Sequence, residues 1–155
     1  MDAYYRHRLQ SLQSVDDLVE SVVKELETHK LLENTYIFYT TDNGYHIGQH
    51  RLQPGKTCAI EEDINVPFYI RGPGVAQGEV VDVVTSHTDI VPTIFEIAGI
   101  EQRSEFDGKP MPVPGKVEVK DEHYDHVSVE YWGEGMAEGI FGQPPTACKC
   151  YLHPS

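Results

Sequence analysis

Cysteines, basic side chains and long apolar runs are all scarce in this sequence of 155 residues. The three cysteines, Cys58, Cys148 and Cys150, are an odd number without paired zinc-ligand spacing, so we predict free thiols instead of a disulfide framework or a zinc site. With 12 basic against 25 acidic side chains, the formal net charge of −13 disfavours nucleic acid and anionic membranes as partners. No run is apolar enough to span a membrane, and residues 1–15 lack the apolar stretch of a signal peptide. The chain as written predicts no export signal.

The length of the chain is enough for one ordinary hydrophobic core, which favours a single domain over two. The excess of acidic side chains is typical of a well-solvated surface. Carboxylates are also the ligands that Ca²⁺ and Mg²⁺ prefer, so net charge alone does not choose between these interpretations.

Glycine and proline are absent from residues 1–43, and an apolar side chain recurs every three or four residues over most of this stretch. The recurring residues are Tyr5, Leu9, Leu12, Val15, Leu18, Val22 and Leu26. This period predicts one long amphipathic helix that ends near Lys30. Ser14 could instead cap a second helix, but the apolar stripe passes that point without a change of phase, so we favour a single helix.

Three segments have the β-branched and aromatic composition of strands. Residues 35–40 form a nearly continuous apolar run, typical of a strand that is covered on both faces of a parallel sheet. Residues 66–71 predict a second strand with Pro67 at its start, closed by a Gly-Pro-Gly turn, and residues 80–85 predict a third. Strands that alternate with helices predict the α/β fold class.

The second half of the chain predicts one more helix, over residues 89–98. Asp89 is its expected N-cap, Pro92 then falls where a missing N–H does no harm, and Gly99 ends it. Residues 101–125 are mostly polar and predict a long surface connection, while residues 126–131 resemble a strand. Residues 140–155 have no clear period and predict an irregular tail.

The loop after the first strand carries the most informative residues. Asp42 and Asn43 follow the predicted strand directly, and ligands bind at the carboxyl ends of strands in open α/β sheets. Their side-chain oxygens suit Ca²⁺ or Mg²⁺, and His46 and Lys56 follow on the same loop. Taken alone, Asp-Asn-Gly is more often simple turn chemistry, and a lone histidine or lysine is more often structural. The combination favours a site for a cation and an anion.

The motifs around this loop resemble the sulfatases, especially the glucosamine-6-sulfatase and arylsulfatase branch, over residues 1–139. Besides the long helix, the resemblance is carried by Thr41-Asp-Asn-Gly-Tyr-His-Ile-Gly-Gln49, Lys56, Val66-Pro-Phe-Tyr-Ile-Arg-Gly-Pro-Gly74, His87-Thr-Asp-Ile-Val-Pro-Thr-Ile-Phe-Glu-Ile-Ala-Gly99, Phe106-Asp-Gly-Lys-Pro110 and Val129-Glu-Tyr-Trp-Gly133, the last resembling fungal arylsulfatases. So long a run of matched motifs exceeds short-motif coincidence.

The resemblance implies an alkaline-phosphatase-like three-layer sandwich with a mostly parallel sheet, of which this chain is the C-terminal part of the catalytic domain. It implies that Asp42 and Asn43 are one pair of ligands to a divalent cation, usually Ca²⁺, and that Lys56 contacts the sulfate. It also implies, less directly, that His46 lies in the substrate pocket. The expected substrate is a sulfated sugar or glycan, or an aryl sulfate, and family members are typically secreted or lysosomal.

The sequence departs from the family pattern in its cysteines. The family nucleophile is a formylglycine made from the cysteine of Cys-x-Pro-x-Arg, and none of the three cysteines begins that motif. We therefore expect a fragment that is inactive by itself and holds an incomplete Ca²⁺ site. Three alternatives stay open: a related metal-dependent phosphoesterase, a non-catalytic binding module, and a degraded gene product. The spacing of Lys56 and the turn at residues 71–74 favour sulfate over phosphate.

Overall fold

A computed structural model describes residues 1–56, 58–117 and 126–130 of the chain. The described residues divide into two compact units: those within 1–69, together with 129 and 130, and those within 70–128. The elements in chain order are α1 (Asp2–Thr28), β1 (Ile37–Thr40), α2 (Glu61–Ile64), β2 (Phe68–Arg71) and α3 (Ile90–Ala98). Single 3₁₀ turns lie at Leu32–Asn34, Gln49–Arg51 and His87–Asp89. The predicted tail at 140–155 lies outside the described residues.

Helix α1 is one uninterrupted helix of 27 residues, as the unbroken apolar period predicts. It ends where the backbone amide of Leu31 bonds to the carbonyl of Leu26 at 2.8 Å and Lys30 adopts a positive φ of 58°. No residue of α1 is buried in the described part of the chain. Its apolar stripe is therefore largely exposed, and Leu18 retains 63% of its accessible surface.

Strands β1 and β2 lie within the first two segments predicted as strands, and they are hydrogen-bonded neighbours in one two-stranded sheet. Ring contacts join the strands: Phe38 lies 6.3 Å from Phe68, and Tyr39 lies 6.0 Å from Tyr69. Such cross-strand aromatic pairs stabilise a sheet. All four residues of β1 are half-buried, so the described chain does not cover both faces of this strand as its composition predicted.

The second unit contains α3, whose bounds match the predicted helix. Asp89 is the N-cap residue of α3, as predicted, but the carboxylate of Asp89 makes no capping hydrogen bond to this helix. It caps the preceding 3₁₀ turn instead, where Ser86 and Asp89 form a capping box. Gly99 ends α3 with a φ of 67°, the left-handed conformation that favours glycine.

A small core forms around α3, and it includes residues from the predicted surface connection. Met111, Val113 and Val117 are exposed by only 4%, 1% and 7%, so the prediction that residues 101–125 run along the surface is wrong for these three. Thr93, fully buried on α3, donates from Oγ1 to the carbonyl of Asp89 at 2.6 Å and accepts from the amide of Met111 at 2.8 Å. These hydrogen bonds tie the irregular segment to the helix.

Two predicted strands do not form. Residues 80–85 have no strand structure, and Val80 is 90% exposed. A β-branched composition favours an extended backbone, but a strand also needs a neighbour to accept its hydrogen bonds, and the described sheet has only β1 and β2. Residues 126–130 likewise form no strand, while Tyr131 lies outside the described residues. Across the ranges described, every helix is too short or too polar to cross a membrane.

Candidate functional site

The acid and amide pair lies directly beyond β1. Hydrogen bonds shape this turn: the amide of Asn43 donates to Asp42 Oδ1 at 2.9 Å, and Thr41 Oγ1 donates to the carbonyl of Asn43 at 3.2 Å. Asn43 Nδ2 donates to the carbonyl of Gly44 at 2.6 Å, which leaves its Oδ1 as the atom suited to a cation. Among the described residues, the hydrogen bonds of these two side chains stay within residues 41–44.

Gly44 brings this turn against the segment around α2. Its amide donates to the carbonyl of Asp63 at 2.8 Å. A Cβ at this position would lie 1.9 Å from the carbonyl oxygen of Glu62, far inside any real contact distance. The turn therefore approaches α2 this closely because residue 44 has no side chain.

His46 pairs with Gly55 and folds the loop back on itself. The two residues form an isolated antiparallel bridge, with the amide of His46 2.9 Å from the carbonyl of Gly55 and the reverse bond at 3.1 Å. Lys56, half-buried, follows Gly55 directly. The structure thus brings the backbone at Lys56 beside His46, and both belong to the loop that begins at Asp42.

Asp63 holds this folded loop in place. Its carboxylate lies 2.8 Å (Oδ1) and 3.1 Å (Oδ2) from Nδ1 of His46, and Oδ2 accepts from the amide of Cys58 at 2.9 Å. Both residues are almost fully buried, with 4% of His46 and 5% of Asp63 exposed. Sequence reasoning missed Asp63, because the last of three consecutive acids in Glu61-Glu62-Asp63 is indistinguishable from a surface charge until burial is known.

The neighbouring acid, Glu62, has a different environment. A hydrogen bond to its carboxylate from its own backbone amide holds the pKa of Glu62 below its ordinary value, and the hydrogen bond and charge of His50 add to this effect. His50 Nε2 lies 3.0 Å from Glu62 Oε2 at the surface. Glu62 is thus a solvated acid beside a buried one.

Cys58 requires a correction to the sequence analysis. It is disulfide-bonded, so the prediction of free thiols is wrong for this cysteine, since an odd number of cysteines still allows one pair. In the described part of the chain, His46, Cys58 and Asp63 have possible metal-ligand atoms within 4.8 Å of one another, and all three are buried. A disulfide sulfur is not a thiolate ligand, and Asp63 already bonds His46, so these residues form a hydrogen-bonded clamp instead of a metal centre.

Asp42 and Asn43 are better suited to a cation. Their oxygens are the hard ligands that Ca²⁺ prefers, Asp42 is exposed, and the turn holds both at the end of a strand. Two residues supply only a minority of the six to eight oxygens that Ca²⁺ takes. The donor set therefore fits part of a Ca²⁺ site.

The fold and this loop together define a class: an α/β protein whose strand end presents oxygen ligands, with a lysine on the same loop. The family model for sulfatases matches residues 2–100. The chain belongs to the sulfatase family, and with it to the alkaline-phosphatase-like α/β fold.

Three comparisons illustrate the relationship. The chain is 65% identical over 122 residues to "Sulfatase ppz1" of Metarhizium majus, covering 78% of this chain and 29% of that protein. It is 44% identical over 137 residues to N-acetylglucosamine-6-sulfatase of Homo sapiens, covering 87% and 25%. A solved structure of BT4656 in complex with its substrate D-glucosamine-2-N,6-O-disulfate matches with a TM-score of 0.61 at 30% identity, covering 64% of this chain and 20% of that one. The chain spans about a quarter of the length of the curated relatives it matches.

Proposed function

We propose that this chain forms the cation- and sulfate-binding corner of a sulfatase that hydrolyses a sulfated sugar or an aryl sulfate. The observation that carries the proposal is the pairing of His46 with Gly55, which folds residues 42–56 into one loop. A sulfate monoester needs positive charge on its oxygens, and this loop offers both cation ligands and an ammonium group.

Each residue has a role in this proposal. Asp42 and Asn43 would hold Ca²⁺, which when bound supplies positive charge to the sulfate oxygens. Lys56 contacts the sulfate through its ammonium group and stabilises the negative charge that grows as the ester bond breaks. His46 lies in the pocket that surrounds the rest of the substrate.

The names of the relatives support the substrate class. N-acetylglucosamine-6-sulfatase acts by its name on a 6-sulfated glucosamine, and BT4656 was solved with a sulfated glucosamine as its substrate. A sulfated glucosamine is therefore the first substrate to test, with an aryl sulfate beside it. A phosphate ester of the same alcohol tests the related phosphoesterase activity.

The 155-residue chain by itself is expected to bind Ca²⁺ weakly and to hydrolyse no sulfate ester. None of its cysteines begins Cys-x-Pro-x-Arg, and water at neutral pH is a poor nucleophile without activation. A cation held by two residues also keeps most of its own water and does not position an anion firmly.

The first experiment measures cation binding in the chain itself. Tb³⁺, a luminescent substitute for Ca²⁺, is titrated into the purified chain with excitation through its nine tyrosines. We expect weak binding that Ca²⁺ displaces and that Asp42→Asn weakens further, because the neutral amide loses the charge of the ligand. Asp16→Asn, a matched change on the exposed surface of α1, should leave binding unaltered. Equal binding by both variants contradicts the cation site.

The second experiment supplies the rest of the enzyme. Residues of this chain replace their 122-residue match in the Metarhizium majus relative, and the chimaera is assayed with 6-sulfated glucosamine and 4-nitrophenyl sulfate. Lys56→Ala should lower kcat/KM for both substrates by about 10² to 10³, the usual effect of removing one group that stabilises an oxyanion. Lys24→Ala, on the exposed face of α1, is the control. An active chimaera that tolerates Lys56→Ala refutes the role of this lysine.

A further inference from the structure

The clamp between Asp63 and His46 has a chemical consequence for the imidazole ring. An ionised carboxylate only accepts hydrogen bonds, so the ring nitrogen that lies 2.8 Å from it must carry a proton. That nitrogen is Nδ1, which leaves Nε2 of the neutral ring with a lone pair. A buried carboxylate in this position therefore chooses the tautomer of the histidine as well as its orientation.

Backbone amides also hold Asp63 in place. Oδ2 accepts the amide of Cys58 at 2.9 Å, and the carbonyl of Asp63 accepts the amide of Gly44 at 2.8 Å. Two backbone segments thus hold Asp63, one through its carboxylate and one through its carbonyl, while the backbone of His46 is held by Gly55. The ring has little freedom to turn over and exchange its nitrogens.

We propose that Asp63 is a positioning residue that holds His46 as the Nδ1–H tautomer, so that Nε2 acts as a fixed hydrogen-bond acceptor for a donor group on the substrate. The proposal rests on the proposed function, which places His46 in the substrate pocket. It adds a residue that does not touch the substrate and acts only through the histidine.

With an acceptor at Nε2, Lys56 and His46 would bind different parts of the substrate. Lys56 donates to sulfate oxygens, whereas a neutral imidazole with a lone pair at Nε2 repels them and attracts a hydroxyl or amine. His46 therefore accepts a hydrogen bond from the alcohol part of the ester. An aryl sulfate without a hydroxyl offers it no donor, so loss of the acceptor should matter less for that substrate.

The first test reads the tautomer directly in the ¹⁵N-labelled chain at pH 8, by long-range proton–nitrogen correlation of its eight histidines. His46→Gln assigns the signals. We expect Nδ1 of His46 to resonate as a protonated nitrogen and Nε2 as an unprotonated one. The opposite tautomer, an even mixture, or a ring protonated on both nitrogens overturns the proposal. This readout needs neither a cation nor turnover, so its failure is distinct from failure of the proposed function.

The second test asks whether the tautomer matters for substrates, and uses the chimaera with Asp63→Asn. The amide of asparagine can donate to Nδ1, which frees the ring to adopt the Nε2–H form. We expect kcat/KM for 6-sulfated glucosamine to fall about tenfold, a loss typical of one hydrogen bond, and the value for 4-nitrophenyl sulfate to change by much less. Glu62→Gln is the matched control, since it removes the adjacent acid that contacts His50. An equal fall for both substrates indicates a purely structural role and overturns the proposal.

Discussion

Asp63 in the first unit and Asp89 in the second are both buried acids, exposed by 5% and 9%, yet they bind different kinds of partner. Asp89 accepts from the backbone amides of Ser86 and Lys109, at 2.8 and 2.9 Å. Asp63 accepts one backbone amide and, in addition, the ring of His46. A carboxylate that binds only backbone groups fixes the path of the chain, whereas one that binds an imidazole also sets the chemistry of that ring.

Each unit also has a glycine where two backbone segments meet. A Cβ at Gly44 would lie 1.9 Å from the carbonyl oxygen of Glu62, and one at Gly108 would lie 2.2 Å from that of Thr88. The two units thus use the same means of construction, a buried aspartate beside a close backbone approach. They differ in that the aspartate of the first unit, Asp63, hydrogen-bonds a titratable side chain, the ring of His46.

The largest effect is expected from Gly44→Ala. The new methyl group cannot fit against the Glu62 carbonyl, so the turn must move away from α2. The free energy of unfolding should fall by about 3 kcal/mol, the upper end of the usual cost of overpacking. Native-state hydrogen exchange should show lost protection at the amides of His46 and Gly55. The amides of Lys109 and Met111, in the second unit, should keep theirs.

The control for this change is Gly78→Ala. Gly78 has a φ of 70° and nothing within 4 Å of an added Cβ, so alanine there meets only the backbone cost of about 1–2 kcal/mol. If Gly44→Ala destabilises no more than Gly78→Ala, the close approach of the loop to α2 is not a real constraint. Equal loss of protection in both units would show that the effect of Gly44→Ala is not local to the loop.

Thr93→Val tests the second unit and should have an intermediate effect. Valine keeps the shape but loses the hydroxyl, so the buried amide of Met111 has no acceptor, which costs about 1–3 kcal/mol. The free energy of unfolding, measured in urea, should fall by this amount. Thr93→Ser retains the hydroxyl and should cost less. A larger loss for the serine variant would show that the methyl group matters more than the hydrogen bonds.

The smallest effect is expected from Glu62→Gln, and it depends on pH. The pKa of Glu62 is lower in the folded chain than its ordinary value of 4.5, so this acid stabilises the fold above that pH. The stabilisation is lost as pH falls through the lower folded pKa. Wild type and variant should therefore differ in urea midpoint near neutral pH and converge in stronger acid.

Salt sharpens this last test, because interactions of a solvated carboxylate are screened. The difference between wild type and Glu62→Gln should shrink in high salt, whereas the effects of Gly44→Ala and Thr93→Val should not. A difference that grows as the solution becomes more acidic would contradict the direction of the pKa shift.

Local pattern was enough to predict several elements of this protein. The unbroken apolar period gave α1 as one helix, aromatic and β-branched runs marked β1 and β2, and Gly99 marked the end of α3. These features depend on residues close in sequence, where periodicity and backbone preference act directly. The same local information placed Asp42 and Asn43 at the end of a strand.

Predictions from composition were wrong where the structure of a segment depends on residues distant in sequence. Residues 80–85 have strand composition but no neighbouring strand to bond. In the polar stretch after α3, Met111 and Val113 are buried, and the amide of Met111 bonds to Thr93 of that helix. Strand formation and burial are properties of contacts, which the order of residue types does not specify.

By itself, the sequence determined the family, the long helix and the two strand segments, and it supplied the four residues proposed for the candidate site. Only the tertiary structure decided which acidic side chain is buried and hydrogen-bonded. Glu61, Glu62 and Asp63 are alike in the sequence, and the fold buries only Asp63, against His46 and the amide of Cys58. The physical reason is that removal from water makes a carboxylate depend on specific hydrogen-bond donors, and those donors come from segments that only folding brings together.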